Sequence, residues 1–371
     1  MIVEAYPLLT RRPDDTEALA ALLSSGQLRA EEVVCVLGKT EGNGGRNDFT
    51  RDLAMHALET LFAPYLGLPP SKVQDRVIFS FSGGTEGVVA PHMIVFARRG
   101  ALAQTPAPEK RLVIGTAWTR PFAPHEIGRT AQLEATAEAI TQLLGELQLA
   151  PEDVHLVQMK GAIPPYSYQD AEAAESRGEP LRCDMVYSRG ASALGVALAL
   201  GEVSRDSLRD AVVCRDFSLY SGRASVSAKP GLVRSEILLF GNSDRARGSL
   251  QIGHAVLRDI LDAASLRALL RRLGLRAEEP PLPEEVARLV GVFAKSEADP
   301  RGSIRGARHT MLQDDDISDT RYSRCVLASV LASVTGTTQI YVSTRAEHHG
   351  PLGGGPVAVI VRQDETPSGT P

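Results

Sequence analysis

Short, mostly apolar runs closed by a lysine occur three times along the chain: VVCVLGK ending at Lys39, VHLVQMK ending at Lys160 and LVGVFAK ending at Lys295. Runs of this length bounded by turn residues read as buried strands, and the segments TEGNGG, GAIPP and SEADPRG supply the turns. A lysine at the mouth of such a strand leaves the core at a fixed place. Helical spacing precedes each strand, in DDTEALAALLSSG, in TAQLEATAEAITQLLGELQ, and in LRALLRRLGL with EEVARLV. Downstream, a hydroxyl residue and an arginine open a second helix: Thr50-Arg51, Ser188-Arg189 and Ser323-Arg324. The hydroxyl residue in that position predicts an N-cap. The arginine then falls in the first turn, where the helix dipole disfavours a cation. Three such placements predict guanidinium groups held for a ligand. Each repeat closes with a strand ending in serine (Ser82 in VIFSFSGG, Ser227 in GRASVSAKPG, Ser343 in TQIYVSTRAE) and one more apolar strand, HMIVFARR, SEILLFGNS or PVAVIVRQ.

The order lysine, arginine, serine thus recurs three times in the same succession of elements, which predicts internal repetition. Each unit reads strand-helix-strand-helix-strand-strand, an α/β fold (α+β layers) with helices on one sheet face. Linkers fall where composition shifts, at the Pro- and Ala-rich 99–111 and the Gly- and Ser-rich 241–253. The expected units are 1–103, 112–249 and 255–371. Three homologous repeat domains around a pseudo-threefold axis would turn corresponding strand ends toward a common centre.

Bulk properties narrow the function. A chain of 371 residues with 43% hydrophobic and 23% charged residues is neither disordered nor fibrous. A formal charge of −5 without a basic block argues against nucleic acid. Cys35, Cys183, Cys214 and Cys325 show no CxxC spacing and read as reduced thiols. The N-terminus lacks the order of a signal peptide, and the longest apolar stretch, ASALGVALALGEV, is too short to span a bilayer. The expectation is a cytoplasmic protein without membrane or nucleic-acid partners.

A lysine beside an arginine in a water-poor cavity loses affinity for its proton. Neutral lysine can then deprotonate a serine hydroxyl, while arginine forks and the amides of Gly83, Ala228 and Thr344 suit carbonyl oxygens and an oxyanion. Three near-equivalent sets predict a small, planar, carbonyl-rich ring as ligand. In the second unit Ser225 and Ser227 share a strand face, so either could be the nucleophile; Ser227 is favoured because it leads into the turn, as Ser82 does.

The segments KTEGNGGRNDFTR, FSGGTEG, MKGAIP, SRGASALG, SGRASVSA, FAKSEADPRGSIRGARHTMLQDDD and AEHHGPLGGGPV resemble the cyanuric acid hydrolase/barbiturase family of ring-opening cyclic amidohydrolases along nearly the whole chain. The resemblance implies a "Toblerone"-like three-domain fold with a central active site, and a homo-oligomer, often a tetramer. It implies opening of cyanuric acid to carboxybiuret, which decarboxylates to biuret. Opening of barbituric acid to ureidomalonate and non-catalytic binding of planar imides are the alternatives. Carried over by position, Lys160 is the base and Ser227 the nucleophile, and Arg51, Ser82, Gly83, Arg189, Ala228, Arg324, Ser343 and Thr344 hold substrate together with Lys39 and Lys295. Thr344 departs from the glycine more usual there, and discrimination between rings is expected near Thr320 and Arg324. No cofactor is implied for catalysis. A structural Mg²⁺ or Ca²⁺ is, on Glu297 and the backbone oxygens of Ala346, His349, Gly350, Pro351 and Gly354.

The remaining motifs read blandly. AEHHGPLGGG lacks the ending of a phosphate loop, and HEIGR lacks the second histidine of a zinc protease helix. Adjacent His348 and His349 point apart more often than they share a metal. Asp314, Asp315 and Asp316 read as a solvated loop or as partners for nearby arginines.

Overall fold

The computed structural model describes residues 1–45 and 47–363; Arg46 and residues 364–371, the end of the third expected unit, lie outside the described residues. The first stretch of chain folds as β1 (Ile2–Leu9), α1 (Glu17–Ser24), β2 (Val33–Thr40), α2 (Thr50–Leu66), β3 (Ile78–Gly83) and β4 (His92–Arg99). The second gives β5 (Arg111–Trp118), α3 (Thr130–Leu147), β6 (Val154–Ile163), α4 (Tyr168–Ser176), α5 (Met185–Ala199), β7 (Ala224–Pro230) and β8 (Glu236–Ser243). The third gives β9 (Leu250–Leu257), α6 (Ala263–Arg272), α7 (Pro283–Val286), β10 (Leu289–Ser296), the hairpin β11 (Ser303–Ile304) and β12 (Ala307–Arg308), α8 (Asp319–Thr335), β13 (Ile340–Thr344) and β14 (Gly355–Arg362). Apart from α4 and the hairpin, this is the succession of elements that hydrophobic periodicity predicts, with α7 taking up only the start of the helical EEVARLV stretch.

Three four-stranded sheets result, ordered β1-β4-β2-β3, β5-β8-β6-β7 and β9-β14-β10-β13. In each, the lysine strand and the serine strand pair in parallel, and the closing strand pairs antiparallel to the lysine strand. The alternation of a strand divides each sheet's residues between two faces. Outer faces bury Val36, Phe79 and Val95 beneath α2, Val157, Val226 and Leu239 beneath α3 and α5, and Val292, Val342 and Val359 beneath α6 and α8. The inner faces share one core, in which Leu37, Ile78 and Phe96 meet Leu156, Leu238 and Phe240, and Ile252, Phe293 and Ile360. Phe96 lies edge-on to Phe240 at 5.3 Å between centroids, and Phe240 reaches Phe293 at 6.3 Å, so an aromatic ring from every sheet meets there.

Two expectations change. The segment 241–253 is not a linker throughout, because β8 runs to Ser243 and β9 starts at Leu250. A third unit starting at 255 would therefore cut a strand. Gly and Ser in this stretch mark the short turn between two strands rather than a long connection. Nor do Thr50, Ser188 and Ser323 cap their helices. The cap positions are Phe49, Asp184 and Ser318. Asp184 accepts the Tyr187 N–H, and α5 and α8 begin a turn earlier than expected. Arg51 is thus the second residue of its helix, but Arg189 is the fifth and Arg324 the sixth. Among the described residues no helix is long and apolar enough to cross a membrane.

Candidate active site

Along each inner face the chemistry changes from apolar to polar at the carboxyl ends of the central strands. In register, Leu37 stands beside Ser80 and Lys39 beside Ser82. Likewise Gln158 pairs with Ser225 and Lys160 with Ser227, and Lys295 pairs with Ser343 two residues beyond Tyr341. A polar layer therefore covers the shared core, and Gln158 Nε2 lies 3.4 Å from Tyr341 Oη and 3.5 Å from Ser80 Oγ. Above it sit three directly paired lysines and serines, brought there by the period of two that places i and i+2 on one side.

The lysines are buried, and each donates to backbone oxygen as well as facing its serine. Lys39 Nζ donates to Val342 O at 2.8 Å and lies 3.2 Å from both Ser82 Oγ and Gly83 O. Lys295 Nζ is 3.4 Å from Ser343 Oγ and 3.2 Å from Thr344 O. Lys160 differs: its ammonium donates to Phe81 O at 2.7 Å, and the Ser227 hydroxyl turns to Met159 O at 3.5 Å. The contacts of Lys39 and Lys160 cross between sheets, which joins the units at their mouths.

Burial pushes all three lysines below their ordinary value. For Lys160 and Lys295 the result is about 7, with Arg51 and Arg189 as the next causes; for Lys39 the direction is the same, with burial first and Arg324 second. Desolvation thus prepares every lysine as a base and does not single out one. Glu236, beside Lys160 in register, is itself pushed up by burial and opposes the downward shift of that lysine.

The arginines are oriented by carboxylates that the sequence reading missed. Arg324 Nη1 donates to Glu86 Oε2 at 2.6 Å, and Arg189 forms two bonds of 2.8 Å with Glu347. Both glutamates stand four residues after a site serine, a regularity present in the sequence. Arg51 instead donates to Gly45 O at 2.6 Å and lies 3.5 Å from Asp48, within its own unit. Such forks fit planar oxygen acceptors.

These groups surround a cavity of about 640 Å³. Its walls include Arg51, Ser82, Gly83, Lys160, Arg189, Ser227, Ala228, Lys295, Arg324, Ser343 and Thr344, together with Thr320 and Asp315-Asp316. Of the expected substrate residues, Lys39 is not on the wall; it is buried behind Ser82. Ser225 is likewise off the wall, in the polar layer below Ser227.

The expected metal residues converge elsewhere. Glu297 Oε2 accepts the Ala346 N–H at 3.3 Å, and the loop turns back through His349 N to Ala346 O and Gly354 N to Pro351 O. A side chain at Gly354 would strike Leu257 O, so this backbone passes closely against β9. Burial and then Glu347 push the Glu297 carboxyl up, a strain that a nearby cation would relieve. A buried carboxylate with loop carbonyls is a donor set that hard cations accept. The histidine rings contribute no free nitrogen: His349 Nε2 accepts the Val226 N–H while Nδ1 donates to Glu347 O, and His348 is held likewise by Cys214 N and Leu219 O.

Comparison with known proteins agrees with this architecture. Residues 4–362 match the family described as "Amidohydrolase ring-opening protein". A cyanuric acid amidohydrolase of Bradyrhizobium diazoefficiens is 46% identical over 368 residues, covering 97% of this chain and 98% of the relative. A solved cyanuric acid hydrolase structure superposes with a TM-score of 0.89 at 44% identity, over 97% of this chain and 99% of the other. That of the enzyme from A. caulinodans gives 0.85 at 41%, over 98% and 99%. On a match spanning all three sheets and the cavity between them, the chain belongs to the family of ring-opening amidohydrolases.

Proposed function

We propose that the chain hydrolyses one ring amide of cyanuric acid, giving carboxybiuret that decarboxylates to biuret. The observation that carries this reading is the direct register of lysine and serine, repeated in three sheets around one cavity with an arginine from each. A planar ring with three equivalent carbonyl edges matches three equivalent sets. The threefold agreement of strand order and the common inner core support three repeat units, roughly 1–103, 112–249 and from the start of β9 onward, about a pseudo-threefold axis.

Lys160 and Ser227 are the working pair in this reading. Neutral Lys160 takes the Ser227 proton as Oγ attacks a ring carbonyl, and Arg51 with the Ala228 amide meets the oxyanion. The C–N bond breaks as the ring nitrogen takes that proton from Lys160, leaving an acyl-serine that water hydrolyses with Lys160 again as base. In this step Ser227 Oγ turns from Met159 O toward Lys160, and such bonds commonly tighten only with substrate present. Arg189, Arg324, Ser82, Gly83, Ser343 and Thr344 hold the remaining edges. A Mg²⁺ or Ca²⁺ on Glu297 and the oxygens of Ala346, His349, Gly350, Pro351 and Gly354 would fix the loop carrying Glu347, with no part in bond breaking. Assembly as a homotetramer in the cytoplasm completes the reading.

The test is turnover of cyanuric acid and of barbituric acid, followed by loss of ring absorbance. Cyanuric acid should be consumed, and Lys160→Ala and Ser227→Ala should each lower kcat by on the order of 10³-fold or more. Preference for barbituric acid would move the substrate assignment, and turnover of neither would sink the hydrolase reading. Ser225→Ala should retain most activity; the reverse pattern at 225 and 227 would displace the nucleophile.

A further inference from the structure

The three junctions between units are not alike. At two of them the chain leaves the sheet directly after the residue following the serine, since β3 ends at Gly83 and β13 at Thr344. The released loop carries Glu86 to Arg324 and Glu347 to Arg189, each in the neighbouring unit. At the third junction β7 continues to Pro230, still paired with β6, and the Gly231 N–H is bound to Ile163 O. The position four residues after Ser227 is therefore a glycine that stays on its own sheet, and among the described residues the carboxylate near Arg51 is Asp48 of its own unit, at 3.5 Å, rather than one from across the junction. Its side chain is 20% exposed, against 6% for Arg189 and for Arg324. A side cavity opens at this junction beside Arg51 and Lys160, bordered by Met55, Lys229 and Pro230.

We propose that Glu86 and Glu347 are positioning residues that latch Arg324 and Arg189 across two junctions as fixed ring-binding forks, and that Arg51, held only within its own unit by Gly45 O and by Asp48 at 3.5 Å, is the loosest of the three and follows charge as it develops. The proposal deepens the cyanuric acid reading and rests on it. A guanidinium already satisfied by a carboxylate binds the ring equally in ground and transition states and contributes to affinity. A more loosely held guanidinium can strengthen its bonds as the oxyanion forms, and only such a gain lowers the barrier.

Glu86→Gln removes one latch far from the Glu297 loop and keeps the side chain's size. KM should rise on the order of tenfold with kcat changed less than about twofold, the signature of lost uniform binding. A lower Tm with KM unchanged would make the glutamate a structural residue only and overturn the proposal. The converse variant, Lys229→Glu, places a carboxylate beside Arg51 at a half-buried position on the wall of the side cavity. Here kcat should fall at least about tenfold with KM little altered. The acid limb of kcat/KM should move to higher pH, because a carboxylate added to the groups facing Lys160 (Arg51, Glu236, Lys229, Lys39 and Lys295) favours its ammonium. An unchanged kcat and acid limb would overturn this role of Arg51. Failure of the wild-type protein to open either ring would be a failure of the function reading instead. Calorimetric Kd for cyanuric acid would then still read the latch, and equal values for wild type and Glu86→Gln would overturn it.

Discussion

A lysine buried among arginines is poorly placed for stability and well placed for chemistry. Lys160, held at about 7 chiefly by burial and then by Arg51, is half neutral near neutral pH. In the proposed mechanism catalysis needs the neutral form, so kcat/KM should climb with an acid limb near that value, measured across pH with cyanuric acid. The same shift acts on folding. Between the folded value and the unfolded value of about 10.4 the unfolded chain holds the proton and the folded chain does not, so stability rises with pH over that window and is lost as pH falls through it. The midpoint of urea unfolding should therefore increase from pH 7 to pH 9. Replacing Lys295 with Met should raise the midpoint at pH 7 and weaken substrate binding, since a buried cation is exchanged for an apolar chain of similar length. Lysine, arginine and serine were legible because each sits at a fixed offset from an apolar run. Glu86 and Glu347 were not, because three residues past a strand a glutamate reads as a solvated loop residue. Its partner belongs to another unit, which no local pattern records.

The elements themselves were read closely from periodicity, and their ends less so. The Thr-Arg and Ser-Arg pairs looked like helix starts because the residues after them are strongly helical. In α5 the carboxylate of Asp184, four residues before Ser188, wins the first-turn amides, while Ser188 Oγ turns to Ala162 O at 2.7 Å and ties the helix to its strand. Asp184→Ala should cost about 1 kcal/mol in denaturant unfolding by loss of the cap. It should also raise KM, because the helix start sets where Arg189 meets Glu347. Equal unfolding free energies for the variant and wild type would show that the cap does not hold this end. The extra length of β7 was equally hidden: Lys229 and Pro230 read as a turn, and Pro at the end of a strand is tolerated where no ladder bond is required.

At the scale of the whole molecule, three outer cores belong to single sheets and one inner core belongs to all of them. Phe240→Ala, at the meeting of the three aromatic rings, should lower stability by about 3–5 kcal/mol. Loss should appear in one transition followed at several probes rather than in stages, since no sheet keeps its inner face covered when another leaves. The arrangement also constrains how such a chain can be divided. Residues 1–103 expressed alone would carry Leu37, Ile78 and Phe96 on a bare face, an apolar patch larger than a monomer keeps in water. On the proposed pseudo-threefold arrangement the surface it lacks is nearly a copy of its own, offset by a third of a turn. Such a fragment should therefore close on itself head to tail as a ring of three. Light scattering would distinguish that ring from a folded monomer, which would contradict the dependence of each sheet on the others. On that proposed arrangement the polypeptide links that join the three thirds serve less to hold the ring together than to let each third keep a sequence of its own, so that one junction can differ from the other two.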